Sequence, residues 1–351
     1  MTKHDNSLTK NGKPGPKHES MHRIAILGDG GWGTALGLLL VKQGHAVRLW
    51  GPFPEYIERL RRERENKLFL PGVPLPETLH WTADRDEAVA GAEVVILASP
   101  SKYYRSVLEL FAGRLPMDCA LLSVSKGLDA ATRRRLTEVA GEVLGHKSVA
   151  VLSGPSHAEE VARGVPTAVV IACADHARAH TLQKIMTSPQ FRVYTSEDVV
   201  GVELGGALKN IMAIATGVSD GLGFGDNTRA ALMTRGLAEM TRLGVALGAR
   251  LETFAGLSGL GDLIVTCTSR LSRNHLVGER LGHGETLDQI IGSMNQVAEG
   301  VTTCTIARAL ARERDVRIPI TDEIHAILHE GRSPAQAVAT LMTRNARPER
   351  D

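Results

Sequence analysis

The stretch that decides the fold is residues 26–40, ILGDGGWGTALGLLL. It sets Gly28, Gly30 and Gly33 in a G-x-G-x-x-G spacing between an apolar β-rich run, HRIAIL, and an apolar segment of helical periodicity. The first glycine permits a tight strand-to-helix turn, the second lets a pyrophosphate approach the backbone, and the third lets helix and strand pack closely. The N-terminus of the helix then faces the phosphates with free N–H groups. The spacing alone also occurs in purely structural turns. A readable strand before it and a readable helix after it are what favour a dinucleotide site.

An acid about twenty residues further on would accept the 2′-hydroxyl of NAD. Trp50, Gly51 and Pro52 stand there instead, and no carboxylate comes before Glu55. A 2′-phosphate would meet no repulsion, so the expected cofactor is NADP or NAD, with a tilt toward NADP. Arg59, Arg61, Arg62 and Arg64 read as a solvated helix face more than as a phosphate clamp.

Outward from the loop, β-rich runs alternate with helical stretches up to about residue 195: HAVRLW, EVVILAS, CALLSVS, SVAVLS, TAVVIAC and RVYTS. That alternation predicts βαβ units, a mostly parallel sheet and helices on both faces. Beyond Ser196 no convincing strand is found, and five segments show helical periodicity. The expected organisation is α/β: a disordered tail over 1–20, a Rossmann-like dinucleotide-binding domain over 21–198, and an all-α helical domain over 199–345. Met21, directly before the first strand, is an alternative start, and RNARPERD reads as a frayed end.

Composition agrees with an ordinary globular chain of 351 residues, 43% hydrophobic and 23% charged. Forty-one basic against 39 acidic residues leave a net charge of +2, which gives no support to a nucleic-acid binder. Aromatics at 4% argue the same way against base-stacking surfaces. Cys119, Cys173, Cys267 and Cys304 are scattered, as in a reduced cytosolic protein without a zinc site. No secretory signal and no membrane span are expected.

The segment GVELGGALKNIMAIATGVSDG, residues 201–221, reads as one apolar helix with a lysine, Lys209, near its middle. Its neighbours on that face are Gly205, Gly206, Met212, Ala213 and Thr216, mostly small, so the amine is expected over a shallow depression. Paired glycines are costly in a helix interior, and either close helix packing or room for a bound molecule accounts for them. Ligands in open α/β sheets sit beyond the carboxyl ends of the strands. Gly28, Ser99-Pro100, Lys126 and Gly154-Pro155-Ser156 follow those ends. In the helical half, GLSGLGDLIVTCTSRLSRNHLVGERLG interrupts the packing pattern around Asp262, Ser272, Arg273 and Asn274. Arginine and asparagine beside hydroxyls can hold a phosphate by charge-assisted hydrogen bonds, and a polar inter-helix loop would look the same.

The segments GDGGWGTA, SKGLDA, LSGPSHAEEVARGVPTA, GVELGGALKNIMAIATG, GLGFGDNTRAALMTRGLAEM, GLGDLIVTCTSRLSRN and VAEG together resemble bacterial-type NAD(P)-dependent glycerol-3-phosphate dehydrogenase, in that family's order. The resemblance runs from residue 22 to about 340. It implies that Lys209 is the proton-transferring residue. It also implies that Lys126, Gly154, Ser156, Lys209, Asp262, Ser272, Arg273 and Asn274 contact the small-molecule substrate, dihydroxyacetone phosphate or sn-glycerol 3-phosphate. The cofactor would meet Gly31, Trp32, Lys126, Ala158, Arg273, Val297 and Glu299, besides the loop glycines. The chain departs from the family's common pattern at Asp29 and Gly31, often Ala and Ser, and at Pro52, often His or Arg. A cytoplasmic enzyme supplying phospholipid synthesis is implied, and a homodimer would pair through the helical domain. The competing readings are a β-hydroxyacid dehydrogenase of the 6-phosphogluconate type and a non-catalytic NADPH-binding sensor.

Overall fold

The structure, a computed structural model, describes residues 21–146, 148–294, 297–346 and 348–349. The segment read as an N-terminal tail lies outside them, as does part of the C-terminal end. The strands are β1 (Arg23–Leu27), β2 (Ala46–Trp50), β3 (Glu65–Asn66), β4 (Leu70–Pro74), β5 (Leu79–Thr82), β6 (Val94–Leu97), β7 (Ala120–Ser123), β8 (Val149–Ser153), β9 (Thr167–Ala172) and β10 (Phe191–Ser196). Eight of them form one sheet in the order β10-β9-β8-β7-β6-β1-β2-β5, while β3 and β4 make a separate antiparallel pair. All neighbours in the large sheet run parallel except β8 and β9. The sheet is therefore mostly parallel, as expected, with one reversal toward the β10 edge. Apolar residues on both faces, such as Ile24 and Ile26 on one side and Ala25 and Leu27 on the other, are buried in two separate clusters. Helices on both sides produce that two-faced burial.

Beyond β10 no named strand occurs among the described residues, and the chain is helical. The helix Val199–Gly221 starts at Asp198, whose carboxylate accepts from the Gly201 N–H at 2.9 Å and also from the Arg250 N–H and the Thr253 hydroxyl. It is long and apolar enough to cross a membrane by length and composition, but 89% of its most apolar window is buried inside the protein. It is the central helix of the second core.

The glycine-rich stretch after residue 256 is not a loop. It forms a single π turn, Leu257–Gly261, then the helices Asp262–Thr268 and Arg273–Gly282. The glycines that looked like helix breakers are packing positions. A Cβ on Gly278 would lie 2.0 Å from the Ile214 carbonyl oxygen, and one on Gly217 would lie 2.1 Å from that of His275. Gly221 and Gly282 face Glu279 and Val218 in the same manner. Glycines four apart on both helices bring two backbones into direct contact, and this carries residues 273 and 274 against the lysine-bearing helix.

Candidate active site

In the glycine-rich loop after β1 the three glycines meet different surroundings. Gly28 has φ +134°, open only to glycine without strain, and a Cβ there would also meet the Ala98 carbonyl at 2.8 Å. A Cβ on Gly33 would fall 2.2 Å from the Gly28 carbonyl oxygen, so helix and turn touch there. Around Gly30 nothing lies within 4 Å of such a Cβ. Gly30 is also the N-cap of the helix Gly31–Lys42, and no side chain caps it. Open space beside uncapped helix N–H groups fits a pyrophosphate. Gly31 must stay bare as well, since a Cβ would strike the Phe69 carbonyl oxygen at 2.4 Å; Ala158 lies just beyond, 3.8 Å away. Asp29 is half-buried in the same loop, and desolvation pushes its carboxyl up to about 6. Trp32 keeps a buried indole N–H without a partner.

At the other end of the rim three charged side chains meet. Lys209, only 6% exposed, donates to Asp262 Oδ1 and to Thr266 Oγ1 at 2.6 Å. Lys126, just after β7, donates to Asp262 Oδ2 at 2.7 Å and to the Gly154 carbonyl at 2.9 Å, with Ser156 Oγ at 3.5 Å. Asp262 thus bridges two ammonium groups. Burial works to raise its carboxyl, but Lys126 and then Lys209 overcome that and hold it below the ordinary range. For Lys209 burial dominates: it lowers the ammonium to about 8 against the pull of Asp262, and Lys126 adds to the lowering.

The expected depression under Lys209 is not there. A Cβ on Gly205 would meet the Ser258 carbonyl oxygen at 2.6 Å, and one on Gly206 would meet Ser153 Oγ at 2.4 Å. The paired glycines serve close packing, which seats the helix on the π turn and on the end of β8. Glu203, one turn earlier, completes the docking by accepting from the Thr137 N–H at 2.9 Å, the Thr137 hydroxyl at 2.6 Å and Arg135 at 3.1 Å.

The remaining candidates take varied places. Ser272 caps its helix by accepting from the His275 N–H at 3.2 Å, which leaves its own O–H free to donate. Asn274 is buried, donates to Asn210 Oδ1 at 3.0 Å and accepts from the Gly300 N–H at 2.9 Å. Arg273 is exposed at the first position of its helix, within the attraction of the Glu299 and Glu159 carboxylates. Glu299 accepts from the Ser101 N–H at 2.9 Å and from its hydroxyl, so the VAEG segment is tied to the rim after β6. Val297 is half-buried. Direct hydrogen bonds join Lys209, Asp262, Lys126, Gly154 and Ser156, while Ser272, Arg273, Val297 and Trp32 stand outside that network. Thr266 belongs to that network, while Asn210 is joined to Asn274 beside it, and neither is singled out by the sequence reading; Thr266 lies one helical turn after Asp262, a spacing that would have found it. His157 faces the positive charges of Lys209 and Lys126, which add to the lowering by burial, and its Nε2 has no partner. No cluster of three potential metal ligands occurs among the described residues.

Two family models cover this geometry: the N-terminal part of NAD-dependent glycerol-3-phosphate dehydrogenase matches residues 23–179 and its C-terminal part residues 198–339. A glycerol-3-phosphate dehydrogenase [NAD(P)+] of Moorella thermoacetica is 53% identical over 321 residues, which is 92% of this chain and 96% of the relative. The chain belongs to the NAD(P)-dependent glycerol-3-phosphate dehydrogenase family. Its counterpart from Geobacter sulfurreducens is 50% identical over 93% of this chain and 99% of its own. The crystal structure of the glycerol-3-phosphate dehydrogenase of Coxiella burnetii superposes with a TM-score of 0.89 at 41% identity, covering 92% of this chain and 99% of that one. As a glycerol-3-phosphate dehydrogenase, the chain is an oxidoreductase acting on a CH–OH group with NAD or NADP.

Proposed function

We propose that the enzyme works chiefly as a dihydroxyacetone phosphate reductase, forming sn-glycerol 3-phosphate, with Lys209 as the proton donor. The chemistry a reduced nicotinamide would supply when bound is a hydride for the ketone carbon, which would leave negative charge on the ketone oxygen. A positioned acid at that oxygen is worth roughly 10²–10⁴ in rate. The observation that carries the assignment is the buried Lys209 ammonium, lowered to about 8 and held in place by Asp262 and Thr266. A donor near the working pH is both protonated and willing to release its proton. In the reverse direction the neutral amine accepts it.

Asp262, itself held by Lys126, positions that group; its carboxylate can accept from the substrate's hydroxyl, and the Lys126 ammonium can donate to an oxygen of the substrate. Arg273, exposed and at a helix N-terminus, is the candidate to hold the phosphate, aided by the Ser272 hydroxyl and Asn274. Remote binding through the phosphate then orients the carbonyl. The dinucleotide would lie over Gly28, Gly30 and Gly33, with Gly31, Trp32, Ala158, Val297 and Glu299 along its course. The product suits the backbone of phospholipids, made in the cytoplasm, and the helical half is the proposed surface of a homodimer, which sedimentation would test.

The deciding assay follows loss of nicotinamide absorbance with dihydroxyacetone phosphate, with 6-phosphogluconate-like hydroxyacids in parallel. Turnover of the phosphorylated ketone alone supports the proposal; turnover of hydroxyacids favours the β-hydroxyacid reading. Binding of NADPH without any turnover would leave the sensor.

A further inference from the structure

In a dinucleotide-binding βαβ unit, the acceptor for the adenosine ribose normally comes from the end of the second strand. This chain lacks one there. Trp50 turns its indole into the protein and donates to the Ala83 carbonyl at 3.1 Å. Gly51 has no side chain and Pro52 no polar one. The volume at Gly51 is nevertheless filled: a Cβ built on it would lie 2.3 Å from Asp29 Oδ2 and 2.7 Å from Asp29 Cγ. A carboxylate therefore stands where a side chain from the end of β2 would begin, but it arrives from the phosphate loop. Asp29 sits between Gly28, which makes the turn, and Gly30, where the pyrophosphate has room. The loop is braced there by Asn66, whose amide donates to the Asp29 carbonyl at 2.9 Å. Asp29 Oδ2 is buried with no hydrogen-bond partner. An ionisable oxygen kept dry and unpaired is costly, and a bound hydroxyl would relieve it.

We propose that Asp29 accepts the 2′-hydroxyl of the adenosine ribose and is the residue that selects NAD(H) over NADP(H). It replaces, from the neighbouring loop, the acid missing from β2, and it reverses the tilt toward NADP that the bare strand end suggests. A 2′-phosphate brought to this position would face a carboxylate. Arg59, on the helix that follows β2, is stacked on the Tyr56 ring at 4.7 Å, and Arg61 is bonded to the Trp81 carbonyl. The inference rests on the family's use of a nicotinamide dinucleotide and adds the choice between the two.

The test is a fluorescence titration of the full chain with NADH, NADPH and 2′-deoxy-NADH, at about pH 8 so that an aspartate is ionised. Wild type is expected to bind NADH roughly 10-fold or more tighter than NADPH, and to lose a similar factor with the deoxy analogue. In Asp29→Ala the NADH advantage over both should shrink toward unity. Asp29→Asn keeps the volume without the charge, so it carries the test if the alanine variant folds poorly, and it should recover NADPH binding. Equal wild-type affinities for NADH and NADPH would overturn the proposal. A wild-type preference for NADH that persists unchanged in both variants would also overturn it. Failure of wild type to bind either dinucleotide would remove the cofactor assignment itself, and the role of Asp29 with it.

Discussion

At the phosphate loop the chain presents mostly backbone, whereas at the Lys209 end it presents three charged side chains that already satisfy one another. Gly28 and Gly33 are bare because carbonyl groups press on them, and Gly30 is bare beside open space. Lys126, Asp262 and Lys209 are the opposite case, with charge balanced in a buried network before any substrate arrives. The first region acts through the absence of atoms, so it fails by steric intrusion. On the proposed mechanism the second acts through the protonation state of one amine, so it would fail chemically while the shape survives. Binding and turnover should therefore be separable by mutation.

The sharpest way to break that comparison is Lys209→Ala. Turnover of dihydroxyacetone phosphate should fall by at least ~10² with NADH affinity near normal, as read by steady-state kinetics beside a titration. Parallel loss of both would mean that the two regions are one. Arg273→Ala should raise KM for the phosphorylated ketone by roughly 10-fold or more, since it removes a charged hydrogen-bond donor. An unchanged KM would take Arg273 out of the phosphate clamp.

Acidity sharpens the picture further. On the proposed mechanism reduction needs the Lys209 ammonium, so its kcat/KM should decline above about pH 8. Oxidation of glycerol 3-phosphate needs the neutral amine and should decline below the same point. A flat profile for both directions across that range would remove Lys209 as the proton carrier. The smallest effects separate two kinds of glycine. Gly278→Ala meets a carbonyl oxygen at 2.0 Å and should cost about 1–3 kcal/mol of stability in a denaturant titration. Gly30→Ala, with nothing within 4 Å, should leave stability nearly unchanged and weaken NADH binding alone.

The parallel sheet was legible because β1, β2, β6, β7 and β8 are apolar runs bounded by turn residues. The edge strand β5 escaped notice, since LHWT offers only Leu79 and Trp81 to the core and its identity as a strand comes from pairing with β2. The helices Asp262–Thr268 and Arg273–Gly282 were hidden for another reason. Glycine reads as a breaker in one dimension, and only the partner helix shows that Gly278 and Gly282 are contact points. In the site, Lys209 and the rim residues could be located along the chain. Their union through Asp262 could not, because it links side chains 136 and 53 residues apart with no local signal.

The seam in which Gly217 and Gly221 meet Gly278 and Gly282 has no rotamers to adjust, because main chain rests on main chain. Arg273 and Asn274, at the head of one of these helices, are thereby carried at a set offset from Lys209 on the other. With Arg273 on the phosphate and Lys209 on the carbonyl, as proposed, the pair would act as a gauge for the span between them. A ketone whose phosphate hangs one carbon further away would be measured and found too long.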